Sequence, residues 1–185
     1  MRTIITTRLE LQPLEIKHAD RLYELFQNWE LHQFIWTEPP KDILQFRKKI
    51  EFQEKLLSPD GTQDWLNWIG VDPRTQEIVS KIEITVMRAV VGEQKIAYIA
   101  YYTFPPFQKQ GFAHESCAAV MEYMFRERGI EKIIIEMDVL NTASVKLAES
   151  LGAKRVSFTP AAQVIRGRVS DEWVWEVKRS PSRVN

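Results

Sequence analysis

Leu9 and Leu11 alternate with polar neighbours between Thr7 and Pro13, the period of a strand with one buried face. Leu22, Leu25, Phe26 and Trp29 then recur at helical spacing. A second helix, entered through Pro39-Pro40, carries Ile43, Phe46, Ile50 and Leu57 and stops at Asp60-Gly61. Three strand-like stretches follow, Trp65 to Val71, Glu77 to Met87 and Lys95 to Thr103. Asp72-Pro73 and Gly92-Glu93 divide them, which predicts an antiparallel meander. Beyond it the period changes again. Gly111 to Arg128 places Cys117, Val120, Met121, Met124 and Phe125 on one helical face. Ile133-Ile134-Ile135, within Lys132 to Val139, has the continuous apolar character of a strand buried on both sides. Thr142 to Leu151 predicts a short helix closed by Gly152, and Lys154 to Thr159 and Glu172 to Lys178 predict two final strands.

This order predicts an α/β (α+β) fold, a mixed and mostly antiparallel sheet of about seven strands flanked by about four helices. No internal repeat or Ser/Gly-rich linker divides the chain, so residues 1–179 are expected to form one domain and 180–185 a flexible tail. A length of 185 residues suffices for one such core and is short for two enzymatic domains.

Composition narrows the classes of function. Hydrophobic residues at 44% and charged residues at 27% are the balance of a folded globular chain. Lys plus Arg and Asp plus Glu both number 25, so no global field draws the protein to a nucleic acid or an anionic membrane. The start, Met1-Arg-Thr-Ile-Ile-Thr-Thr, lacks the apolar run of a secretory signal, and a lone Cys117 can form no internal disulfide. A cytoplasmic protein is the expectation. With three dispersed histidines and no cysteine pair, no metal site is expected. The sequence leaves open whether the chain forms a homodimer.

The candidate chemistry begins at Gln108-Lys109-Gln110-Gly111-Phe112-Ala113, between a strand and an amphipathic helix. A loop entering a helix leaves backbone N–H groups unpaired, and with the helix dipole they attract a phosphate or pyrophosphate. Gly111 and the small Ala113 permit close approach. Neither Gly-x-Gly-x-x-Gly nor a Gly-Lys-Ser/Thr loop is present. The run resembles the acyl-CoA pyrophosphate loop of the GNAT superfamily of N-acetyltransferases: Gln or Arg, two residues, Gly, one residue, then Gly or Ala. Asn141-Thr-Ala-Ser144-Val-Lys-Leu147-Ala-Glu149-Ser-Leu151-Gly152 resembles a second segment of that superfamily, in the form typical of the branch with the ribosomal-protein N-terminal alanine/serine acetyltransferases.

The resemblance implies acetyl-CoA as co-substrate and a primary amine, a peptide N-terminus or small molecule, as acceptor. It implies cofactor contacts from Tyr101, Tyr102 and Thr103, from Gln108, Lys109, Gln110, Gly111, Phe112, Ala113 and His114, and from Asn141, Ser144 and Leu147. It also implies that the strand ending at Thr103 splays from the next parallel strand and leaves backbone donors for the acetyl carbonyl. Ser144 takes the place of the proton donor to the departing sulfur. Two family features are absent: Ala148 stands where many relatives carry a Tyr, and Gln94-Lys95-Ile96-Ala97 where others carry a basic Glu. Candidate bases are Glu83, Glu136 and Asp138, with Tyr98 or Tyr101 acting through water. A catalytically silent acyl-CoA-binding module is the alternative expectation.

An α-amino group ionises near ~7.7–8.0 and a lysine near ~10.4, a difference worth about 3.4 kcal/mol. A chain without an evident base is therefore matched to α-amines. Trp29, Trp36, Trp65 and Trp68 cluster in the N-terminal half, which the resemblance implies builds the acceptor pocket; aromatics also serve as core, and Trp36 and Trp65, with Tyr98, are the acceptor-binding candidates. Cys117, on an apolar helical face, reads as a small hydrophobe, and His114 and Glu115, in the first turn after the loop, read as exposed.

Overall fold

In the computed structural model, which describes residues 1–88 and 94–179, the first strand-like segment becomes a hairpin. Strand β1 (Ile4–Ile5) pairs antiparallel with β2 (Glu10–Pro13), Ile4 opposite Leu11. The Thr6 hydroxyl closes the turn, accepting from Leu9 N at 2.9 Å. The expected strand therefore starts three residues late, because residues 7–9 are spent on the turn.

Helix α1 (Ala19–Leu25) is shorter than its spacing predicted. Trp29 falls outside it, opening a 3-10 turn (Trp29–His32) capped by the Asn28 side chain. Helix α2 (Ile43–Gln53) is capped by Asp42, whose carboxylate accepts from Gln45 N at 2.8 Å, a local bond that outweighs the Pro39-Pro40 signal in fixing the start. Leu57 is not part of α2; it makes a single bridge to Asp64.

The meander forms as β3 (Gln63–Val71), β4 (Ile78–Met87) and β5 (Ile96–Thr103), all antiparallel. Asp72 organises the first connection by accepting from Arg74 N; the Gly92-Glu93 break lies outside the described residues. Helix α3 (Phe112–Glu127) then crosses to β6 (Lys132–Asp138), which runs parallel to β5, as such a crossover permits. Helix α4 (Thr142–Ser150) leads into a hairpin of β7 (Lys154–Ile165) and β8 (Arg168–Lys178). β7 runs six residues past the expected Thr159. It tolerates Pro160 because it is the edge strand, and Arg166 and Gly167 turn the chain at φ 49° and 79°.

Among the described residues the sheet has eight strands in the order β1-β2-β3-β4-β5-β6-β8-β7, one more than expected because of the opening hairpin. α3 and α4 cover one face, burying Val120, Met124 and Ala148 against Leu66, Trp68, Ile82 and Ile135. α1 and α2 cover part of the other, burying Leu22, Phe26, Phe46 and Ile50 against Ile69 and Val71. No helix among the described residues is long and apolar enough to cross a membrane.

The registry of α3 on the sheet depends on a buried hydroxyl pair. Ser80 Oγ on β4 lies 2.9 Å from Ser116 Oγ on α3, and both residues are fully buried. Gly70, opposite Ser80 on β3, leaves room for it, since a Cβ at Gly70 would collide with Ser80 Oγ. Gly70→Ala is expected to lower the unfolding free energy by about 1–3 kcal/mol, through displacement of Ser80 and loss of a buried bond, as read from denaturant melts.

Candidate active site

Strands β5 and β6 pair only from Ile96 opposite Lys132 to Tyr98 opposite Ile134. Beyond Tyr98 each keeps its outer neighbour: β5 stays on β4 through Thr103, and β6 stays on β8 through Asp138. The two strands part, and backbone groups of residues 99–103 face a gap without a strand partner. Pairing alternation sends Tyr101 to the α3/α4 face with Ile82, and Tyr98, Ala100 and Tyr102 to the α1/α2 face with Thr85, Glu83 and Lys81.

At the end of β5 the loop is shaped by its own side chains. Gln108 Nε2 donates to Thr103 O at 3.0 Å, and Gln110 Nε2 to Pro106 O at 2.9 Å. Lys109 and Gly111 take left-handed φ values of 59° and 82°. Gly111 caps α3 without any side-chain cap, and the first backbone bond of the helix is Glu115 N to Gly111 O. Among the described residues, the N–H groups of residues 109–114 therefore have no acceptor in the protein, an arrangement suited to a pyrophosphate. The Phe112 ring is buried in the core, so this residue can offer an anion only its backbone.

The loop is anchored from the other end of the chain. Glu115 accepts from Thr6 Oγ1 at 2.6 Å, from Arg8 N at 2.7 Å and from Arg8 Nε at 2.7 Å. Arg8 also donates to Gln110 O at 3.0 Å and covers the Phe112 ring at 4.0 Å. Glu115 is thus half-buried and committed, where exposure was expected. His114 is exposed, its Nδ1 3.0 Å from Ser150 Oγ on α4.

Asn141 caps α4, accepting from Ser144 N at 3.1 Å. Ser144 is 9% exposed and Leu147 packs against the core. Tyr101 Oη, on the same face, is buried without a hydrogen-bond partner. Burial pushes its ionisation up; the nearby Ser144 hydroxyl opposes this but is not in hydrogen-bonding geometry, and Cys117 adds to the rise. Cys117 is fully buried, its thiol pushed up by burial.

On the opposite face a cavity of about 1010 Å³ opens over the gap, lined among others by Trp36, Lys49, Lys81, Glu83, Ala100, Tyr102, Glu136 and Glu172. A smaller recess of 180 Å³ adjoins it at Tyr98, Ala100 and Glu136. Trp36, 75% exposed, stands at its wall. Trp65 does not line it; its ring packs edge-on to Phe52 and its Nε1 donates to Gln63 Oε1.

The base candidates separate by environment. Burial raises the Glu83 carboxyl, but the Lys81 ammonium, bonded to it, and Lys49 outweigh this and hold it below the usual range. Asp138 serves the fold: its carboxylate takes Ser170 Oγ at 2.6 Å, Leu140 N at 2.8 Å and the Arg168 guanidinium. Glu136 has no ion pair among the described residues, and the cavity wall raises its carboxyl. Glu172, which sequence reasoning did not single out, is raised by burial and by Glu136 and Asp138. Lys49 and Lys81 were also missed; Lys81 is 3% exposed on β4, a burial that the sequence does not reveal.

Burial raises the Glu115 carboxyl, but the bonds from Thr6 and Arg8 prevail and hold it below the ordinary range. A folded value below the unfolded one, about 4.3, means that the clamp contributes fully above that pH and is lost as pH falls through the folded value. Glu115→Gln is expected to be less stable than the parent at pH 7 and to show a shallower loss of stability on acidification below about pH 5, measured by thermal melts.

The acetyltransferase (GNAT) domain family matches residues 8–154. The uncharacterized N-acetyltransferase p20 of Bacillus licheniformis is 24% identical over 177 residues, 96% of each chain. Among solved structures, the Salmonella typhimurium acetyl transferase that modifies the N-terminal serine of 50S ribosomal subunit protein L7/L12 has a TM-score of 0.78 at 22% identity, covering 95% of this chain and 97% of that one. Spermidine N-acetyltransferase from Vibrio cholerae, in complex with CoA and spermine, has a TM-score of 0.78 at 18% identity, covering 94% and 96%. The solved structures share the parent fold, and the family match spans the anchored loop, the parted strands and α4: this chain belongs to the GNAT acetyltransferase domain family.

Proposed function

We propose that this chain transfers an acetyl group from acetyl-CoA to the α-amine of a peptide or small molecule. The observation that carries the reading is the gap between β5 and β6 beside a loop of unpaired N–H groups. When bound, acetyl-CoA supplies a thioester whose C–S bond is exchanged for a C–N bond, one proton leaving the amine and one reaching the sulfur. The residues present fit that group. The N–H groups of residues 109–114 hold the pyrophosphate, the free backbone of residues 99–103 aligns the pantetheine arm, and Gly111 keeps a φ of 82° that a side chain would strain.

Glu136 takes the acceptor's proton. It stands across the gap from Ala100 with no ion-pair partner among the described residues, and its raised proton affinity suits it to an α-ammonium better than that of Glu83, which Lys81 lowers. Ser144 Oγ holds the proton for the sulfur on the opposite face of the sheet, with the Tyr101 hydroxyl behind it. Trp36 and Tyr98 flank the acceptor's approach. The Salmonella relative, named for modifying an N-terminal serine, supports an α-amine acceptor. One observation favours a silent acyl-CoA-binding module instead: fully buried Ala148 occupies the place of the family's usual tyrosine.

Calorimetry is expected to detect acetyl-CoA binding, with Gly111→Val weakening it about tenfold or more, on the order of 1.4 kcal/mol. Assays of CoA release with α-amine peptides are expected to detect turnover that Ser144→Ala and Glu136→Gln each lower by about 10²-fold, while acetyl-CoA affinity is kept. Binding without turnover across a broad amine panel establishes the silent module.

A further inference from the structure

The acceptor cavity separates its charges by wall. From α2 and β4 come Lys49 and Lys81, with Glu83 bonded to Lys81, so this wall is net positive. From β6 and β8 come Glu136 and Glu172, with no cation paired to either among the described residues. Lys49 likewise has no ion-pair partner there; it is exposed to the cavity, and partial desolvation together with Lys81 holds its ammonium below the usual lysine range, with Glu83 opposing. The remaining charges at the mouth are already engaged: Lys41 lies 3.5 Å from Glu38, and Asp42 caps α2.

Unpaired charges of opposite sign on different elements lining one cavity can each be met by a ligand that carries both signs. We propose that this cavity selects α-amine acceptors that also carry an anionic group, the ammonium facing Glu136 and Glu172 and the anion facing Lys49. The inference rests on the acetyl-transfer reading above and names the acceptor's class. Ala100, small and at the point where β5 leaves β6, lets the amine end reach the gap from the carboxylate wall. A second cation on the acceptor would instead approach Lys49 and Lys81 and meet like charge. The occupant of this chemistry is a peptide whose second residue is acidic, or an acidic amino acid.

The test measures kcat/KM by CoA release for the amidated peptides Ser-Asp-Ala-Ala, Ser-Asn-Ala-Ala and Ser-Lys-Ala-Ala, and for the α-amide of glutamate against the α-amide of glutamine. The expected order is Asp over Asn over Lys, and Glu over Gln, with up to about fivefold between the anionic and neutral members, the upper end of what a solvent-reached charge pair delivers. Lys49→Glu is expected to abolish or invert the preference and Lys49→Arg to keep it, both without change in acetyl-CoA affinity. Equal rates on anionic and neutral acceptors, a preference for the Lys peptide, or a preference that survives Lys49→Glu would overturn the inference and leave the acetyl-transfer reading standing. Acetyl-CoA binding with no CoA release on any acceptor overturns both.

Discussion

The site depends on a conflict of pairing. β5 is committed to β4 and β6 to β8 along their full lengths, while the contact between β5 and β6 ends after three residue pairs. Antiparallel ladders hold each strand on its outer side, and the weaker parallel pairing between them yields. An interior sheet position thereby becomes a cleft with unpaired backbone on one side. Such groups are costly when buried without a partner, and a ligand lying along the gap can satisfy them.

The two faces of that cleft have different chemistry because strand alternation separates them. Tyr101 goes to the α3/α4 side, where Ser144 and an apolar core surround it; Ala100 and Tyr102 go to the side of Glu83, Glu136 and the lysines. Burial raises the ionisation of the Tyr101 hydroxyl on one face and of the Tyr102 hydroxyl on the other. The face of Tyr102 also carries the charges, with one carboxylate lowered by a bonded lysine and two, without an ion pair among the described residues, raised by burial. The candidate base Glu136 and the candidate proton donor Ser144 thus lie on opposite sides of a single sheet.

The anion loop is held by more than its own sequence. Its internal bonds, Gln108 to Thr103 and Gln110 to Pro106, set the local turn, but its position against the sheet comes from Glu115 gripping the first hairpin through Thr6 and Arg8. The Ser80–Ser116 pair holds the same helix at the next residue. A preorganised loop of this kind spends little entropy when an anion docks.

The sequence by itself determined the element order, the loop and the cap of α4, because each is written in neighbours a few residues apart: period, Gly111 at a helix start, Asn141 three residues before Ser144. It also supplied the family resemblance that the domain match bears out. It misjudged the ends of α1 and α2 and the length of β7, where caps at Asn28 and Asp42 and an edge position outweighed apolar spacing. Only the tertiary structure decided which carboxylates stand at the gap and in what state. Glu83, Glu136 and Asp138 are equivalent as letters, but one is bonded to Lys81, one is unpaired at the cavity and one is locked to Arg168 and Ser170. Glu115 meets Arg8 across 107 residues. Electrostatic environment arises from partners brought together by folding, and no local pattern encodes them.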